Sequence, residues 1–250
     1  MREVAVFTAL RAELCPLKAL LCHAERQSGE IPIHTGEIEG TRVILVCSGI
    51  GEEPSVAAAE AVRSKYSPSA VLSTGFCGGL VRELGSCDVV LSSWVVSTAL
   101  KPQENSKKLF LRDETISLRR FLEDRGVRAR VGGFASVPRP VLSPGEKRQL
   151  AHRTGALVVE METFHLGAFF LAQEVPFVGM RVVFDSLEDC LPVGQLAMEK
   201  LARWGARHTL WQLLLRAGDH SRIWWLSRNW RRAQVVLGKT TAAVVGSWSW

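Results

Sequence analysis

The chain has 250 residues, 47% of them hydrophobic, and a net charge of +6, which is enough for one large domain, or a domain with an appendage, around a substantial core. It has no run of about 18 consecutive apolar residues, which excludes a membrane-crossing helix. The six cysteines (15, 22, 47, 77, 87 and 190) form no CxxC pair and no two histidines have zinc-ligand spacing, so reduced thiols and no metal site are expected. Met1-Arg2-Glu3-Val4 runs straight into an apolar pattern without a secretory h-region, which points to the cytoplasm.

The predicted elements alternate strand and helix. Residues 3–8 read as a strand, and 9–23 carry Leu10, Leu14, Leu17, Leu20 and Leu21 at helical spacing. Strands at 31–38 and 42–48 flank Glu39-Gly40, a hairpin turn. Gly49-Ile50-Gly51 opens an alanine-rich helix over 54–66. Strand 70–74 leads into the glycine turn Gly75-Phe76-Cys77-Gly78-Gly79. A strand at 88–96, a polar loop at 100–108, a helix at 115–124 and a strand at 127–135 follow. Ser143-Pro144-Gly145-Glu146 has the form of a capping box with proline at N1 and opens a helix to about Arg153. Strand 156–159, helix 161–173 and strand 177–184 complete the body, and the rest is mostly helical from Val193. Some strands pair through hairpins and others through helices. The expected fold is therefore α/β, three layers with a mixed central sheet between helices, as residues 1–192, plus a helical C-terminal extension, 193–250.

Acids stand where the chain leaves two of these strands: Glu160 and Glu162 after one, Asp185 at the end of the other. Ligands of open α/β sheets collect outside the carboxyl ends of strands. An acid ending an apolar strand is partly desolvated, which raises its pKa toward that of a usable proton donor. The plainer reading is that these acids cap helix N-termini in solvent.

Taken in order, VAVFTALRAEL, VCSGIGEEPSVAAAEA, STGFCGGLVRELGSCDVV, VVEMET and PFVGMRVVFDS resemble the nucleoside phosphorylase and nucleosidase superfamily. The likeness is to methylthioadenosine/S-adenosylhomocysteine nucleosidases above all, and it spans about residues 3–190. The chemistry it implies is cleavage of a ribosyl C1′–N bond through an oxocarbenium-like transition state, with no cofactor. By this resemblance Asp185 protonates the departing purine, Glu13 orients the attacking water, Glu162 holds the ribose hydroxyls and Met161 packs on the sugar. Glu160 and Arg181 join the site, with Arg181 neutralising and positioning Glu13, forming an internal ion pair with Glu13 or Glu162, or both. Gly75 allows close backbone approach or simply a tight turn, and Ser48 and Ile50 line the pocket or end a buried strand. Two positions depart from the pattern: Phe76 and Phe184 stand where small hydroxyl residues are common. Phe76 either stacks on the ligand or fills space. Arg11 occupies the position of a phosphate-binding arginine, or is an exposed helix residue. Ser73 stands where a second such arginine is expected, so water is favoured over inorganic phosphate as co-substrate, the nearby Glu13 carboxylate repelling an anion. The resemblance also implies a homodimer or larger assembly.

The C-terminal extension is a different material. Residues 201–250 hold eight basic residues against Asp219 alone, and seven of the eight tryptophans. LLLRAGDHSRIWWLSRNWRRAQVVL is similar to the C-terminal region of the hopanoid-associated nucleosidase/phosphorylase group. That likeness implies an adenosine joined through C5′ to a triterpenoid as substrate. Ile223, Leu226, Trp230, Ala233 and Leu237 recur at helical spacing with arginines mostly elsewhere, the pattern of a helix lying in a membrane interface. The same pattern also fits a helix packed on the body. No recognition module for nucleic acid surrounds it.

Overall fold

A computed structural model describes residues 3–99, 109–110, 114–190 and 220–247. In chain order the elements are β1 (Glu3–Thr8), α1 (Arg11–Lys18), β2 (Cys22–Arg26), β3 (Ile33–Ile38), β4 (Thr41–Cys47), α2 (Glu52–Lys65) and β5 (Ala70–Gly79). Then come β6 (Val89–Ser97), β7 (Leu109–Phe110), α3 (Glu114–Glu123), β8 (Ala129–Ser136), α4 (Pro144–Thr154), β9 (Val158–Glu160), α5 (Thr163–Leu171), β10 (Phe177–Asp185) and α6 (His220–Ser247).

All ten strands join one mixed sheet. β1 lies parallel between β4 and β5, and β3 and β2 continue antiparallel to the edge. On the other side β10 pairs with both β5 and β6, while β8 and β9 lead from β6 back to β5. Those five strands close into a ring, so the expected mixed sheet is present with half of it curled. Alternation along β1 shows the layering. Val4 and Val6 face a cluster covered by α1, α3 and α6, while Ala5 and Phe7 face one covered by α2 and α5. A third cluster seats Leu150 of α4 on Leu80, Val96 and Val159.

Local chemistry explains most element boundaries. Glu39 and Gly40 both have positive φ (49° and 73°), the two left-handed residues of a tight hairpin between β3 and β4. Ser143 and Glu146 form the expected capping box of α4, and Gly155 ends that helix at φ 69°. The helix expected over 9–23 stops earlier, because Pro16 lies inside it and lacks the N–H that would bond to Ala12. Gln234 Nε2 of α6 donates to that freed carbonyl instead, at 2.8 Å. The chain then turns through His23 (φ 51°), and 22–26 becomes an edge strand. The glycine run is also a correction: β5 does not end at Thr74 but continues to Gly79, pairing with β9 and β10. The polar loop expected at 100–108 and the boundary at 192/193 lie outside the described residues.

Helix α6 is built into the body. Ala233, Leu237, Val244 and Val245 are fully buried in one cluster with Leu14, Leu17, Leu72 and Val182. Thr241 meets Thr74 of β5, hydroxyl to hydroxyl at 3.4 Å. Trp230, Ala233 and Leu237, whose spacing fits either a membrane interface or a helix packed on the body, face the protein. Ile223 and Leu226 carry no described side chain.

Candidate active site

The carboxyl ends of β1, β4, β5, β9 and β10 converge, and their connections carry the acids. Glu13, in the first turn of α1, is 3% exposed. Its Oε2 accepts from the backbone N–H of Ala9 (3.0 Å) and Leu10 (2.9 Å), and its Oε1 from that of Phe76 (2.7 Å). Burial pushes the carboxyl above its ordinary range, opposed by these amides and by Arg181. Three of its roughly four lone-pair directions are thereby filled, leaving room for one more donor. Gly75 makes this possible: a Cβ there would lie 2.6 Å from Glu13 Oε1, and its φ is +156°.

Arg181 of β10 is buried among acids. Its Nη2 donates to Glu160 Oε2 at 2.7 Å and to Ser73 Oγ at 3.1 Å, and stands 3.7 Å from Glu162 Oε2. Glu160 is saturated. Ser136 Oγ donates to Oε1, while the N–H groups of Glu162 and Thr163 and the Thr163 hydroxyl donate to Oε2. Burial favours its neutral form, but Arg181 and these donors outweigh that and hold it below its usual range. Glu162 is less supported, with Oε1 accepting only from Gly51 N–H at 3.1 Å. Burial first, then the Glu160 charge, push it up to about 8 against the pull of Arg181. Three buried carboxylates thus share one guanidinium, and the site holds a proton on Glu162 near neutrality.

Asp185, at the end of β10, is 4% exposed and lies beside Gly78, where a Cβ would sit 3.2 Å from Oδ2. Burial raises its pKa to about 6, opposed by the ammonium of Lys147 at 2.5 Å. The glycines of β5 thus give room to the carboxyls of Glu13 and Asp185.

The other expected residues fall out as follows. Met161 is half-buried against the third cluster, and Ile50 is half-buried at the start of the β4–α2 connection. Ser48 is buried, its hydroxyl within reach of the carbonyls of Thr8 (3.2 Å) and Gly49 (3.0 Å). Arg11 is exposed on the first turn of α1. The Phe76 ring packs on Phe184 (centroids 5.9 Å apart) and Trp230 (5.3 Å), and the last two meet edge-on at 5.6 Å. Sequence reasoning missed Lys147, Ser136 and Thr163. Lys147 stands three residues before Leu150, on the one stripe of α4 that is buried, and its spacing to that leucine is the only hint the sequence holds.

Comparison with known proteins fits this arrangement. Residues 3–207 match the family described as the phosphorylase superfamily. A 5′-methylthioadenosine/S-adenosylhomocysteine nucleosidase from Shewanella loihica is 25% identical over 205 residues, covering 76% of this chain and 89% of that protein. One from Bacillus subtilis is 35% identical over 92 residues, 36% of this chain and 40% of the relative. Among solved structures, the Neisseria meningitidis nucleosidase in complex with methylthio-immucillin-A superimposes with a TM-score of 0.78 at 21% identity, covering 99% of this chain and 100% of its own. A futalosine hydrolase mutant of Helicobacter pylori gives 0.73 at 18% identity, covering 98% and 99%. At these identities the structural matches establish a common fold.

Proposed function

The chain belongs to the phosphorylase superfamily, and on that premise we propose that it cleaves the N-glycosidic bond of a C5′-modified adenosine, releasing adenine. The observation that carries this reading is Asp185: a carboxyl buried at a strand end, with a pKa of about 6, can hold a proton near neutrality and pass it to a nitrogen of the departing base. Glu13, locked by three amides with one acceptor direction left, orients the water that attacks C1′. Glu162 takes the ribose hydroxyls, with Met161 against the sugar. Arg181 and Glu160 form the rigid base on which Glu162 sits, so Glu160 acts by positioning. The acidic cluster favours the positive charge that develops on the sugar.

Water is the proposed acceptor rather than phosphate. Arg11 is exposed, and Ser73 Oγ accepts from Arg181, whose guanidinium is already taken up by the buried acids, which leaves an anion little support beside the Glu13 carboxylate. No metal or organic cofactor has a part in this chemistry. For the C5′ substituent we propose a large apolar group such as a triterpenoid. The likeness of the C-terminal region to the hopanoid-associated group supports this, and so does the aromatic trio of Phe76, Phe184 and Trp230 next to two site residues. Homo-oligomeric assembly rests on the family resemblance alone. Membrane contact through the described part of α6 would be electrostatic, through exposed Arg231, Arg232 and Lys239.

The test is adenine release from methylthioadenosine, S-adenosylhomocysteine and an adenosine bearing a bulky C5′ hydrocarbon, each with and without phosphate. Phosphate-independent release from the bulky substrate is expected. Strict phosphate dependence would make the enzyme a phosphorylase, and no release from any substrate would leave a nucleoside-binding protein.

A further inference from the structure

Among the described residues Lys147 is the one buried cation outside the acidic cluster, and nothing in the reaction outlined above uses it. It stands on α4 with no exposed surface, though a lysine almost never loses all contact with water unless it is paired. Its ammonium donates to two backbone carbonyls and forms an ion pair with one carboxylate oxygen. Asp185 Oδ2 is at 2.5 Å, the Ser186 carbonyl at 2.5 Å and the Asp189 carbonyl at 3.1 Å. The turn it grips is itself latched: the Asp189 carboxylate accepts from both the N–H and the hydroxyl of Ser186, each at 2.7 Å. The ammonium therefore ties the Asp185 carboxyl and the backbone beyond it to a separate helix. That helix is in turn fixed by its capping box and by Leu150 in the third cluster.

We propose that Lys147 is a positioning residue for the acid: from its place in the core it fixes the Asp185 carboxyl and keeps that carboxyl's proton transferable to a departing base. This rests on Asp185 being the acid. Three titratable groups face Asp185 among the described residues: Lys147 from α4, Asp189 from its own turn and the buried Cys77 thiol from β5. Asp189 and burial both favour the protonated carboxyl, and Lys147 is the one cation of the three that opposes them. Without it the carboxyl would hold its proton to higher pH and donate it less readily, since a weaker acid transfers a proton more slowly. Lys147 thus sets acid strength without touching the substrate.

The test compares pH profiles of kcat/KM for adenine release by the wild type, Lys147→Met, Lys147→Arg and Asp185→Asn. In Lys147→Met the descending limb should move up by about one to three pH units, with kcat down about tenfold and KM little changed. Lys147→Arg keeps the charge and should stay near the wild-type profile. An unshifted limb in folded Lys147→Met overturns the proposal. If Lys147→Met does not fold, ¹³C-carboxyl NMR of the wild type, with Asp185 assigned by its loss in Asp185→Asn, reads the same property. Ionisation near or below neutrality supports the proposal, and ionisation above pH 8 overturns it. Undiminished release by Asp185→Asn instead sinks the assignment of the acid, which the NMR titration distinguishes from a failure of Lys147.

Discussion

At the scale of single residues, the site is a set of carboxyls held at different ionisation states by different neighbours. Glu160 stays ionised because Arg181 and several hydrogen-bond donors surround it, while Glu162, two residues on, is raised to about 8. For the proposed reaction, the proton that matters is on Asp185. The acid must be protonated to act, so kcat/KM for adenine release should fall as pH rises through about 6, a limb that a pH-rate profile of the free enzyme reads directly. Gly75 is a second test at this scale. Gly75→Ala would drive a Cβ to 2.6 Å from Glu13 Oε1 and place alanine at φ +156°. The expected result is a loss of about 100-fold in kcat, because the misplaced carboxylate no longer aims the water. The sequence placed Glu160, Glu162 and Asp185 where the chain leaves a strand, whereas Glu13, inside a helix, was singled out only by the family resemblance. Lys147 was not legible, because a lysine on a polar helix reads as solvated unless the buried stripe of that helix is known.

At the scale of elements, α6 and β5 show where sequence patterns mislead. The i, i+3, i+4 stripe of Trp230, Ala233 and Leu237 is amphipathic whichever apolar phase it meets, membrane or protein core, so periodicity could not choose between them. The deciding partners are far away in sequence: Ala12, freed by Pro16, and Thr74. If α6 is part of the core, deleting residues 220–247 should leave a protein without a cooperative thermal transition; a removable appendage would leave the melt of the body intact. Trp230→Ala should cost about 2 to 3 kcal/mol in chemical denaturation, since Phe76 and Phe184 lose a packing partner. Glycine-rich β5 reads locally as a turn. Pairing with β10, and with β9 at Gly78 and Gly79, is what carries the strand through that stretch. The curled half of the sheet was illegible for the same reason, because ring closure depends on contacts between distant segments.

At the scale of the whole molecule, the buried acids couple stability to pH. Glu162 and Asp185 bind protons more tightly folded than unfolded, with values of about 8 and 6 against ordinary values of 4.5 and 3.8, and Glu13 is raised as well. Between those limits the unfolded chain binds fewer protons, so stability falls as pH rises from about 5 to about 8, by a few kcal/mol. Glu162→Gln should flatten that fall and raise the melting temperature at pH 8; a parallel fall in both proteins would show that Glu162 is not the group responsible. The same retained protons serve the proposed reaction, in which a buried acid makes the base a good leaving group. Single-turnover adenine release by the wild type and by Asp185→Asn, on whichever C5′-modified adenosine the wild type cleaves, tests this most directly. Nucleoside binding should survive in the variant while the rate of release falls by about 10² to 10⁴. Release at the wild-type rate from Asp185→Asn would contradict acid catalysis at this site.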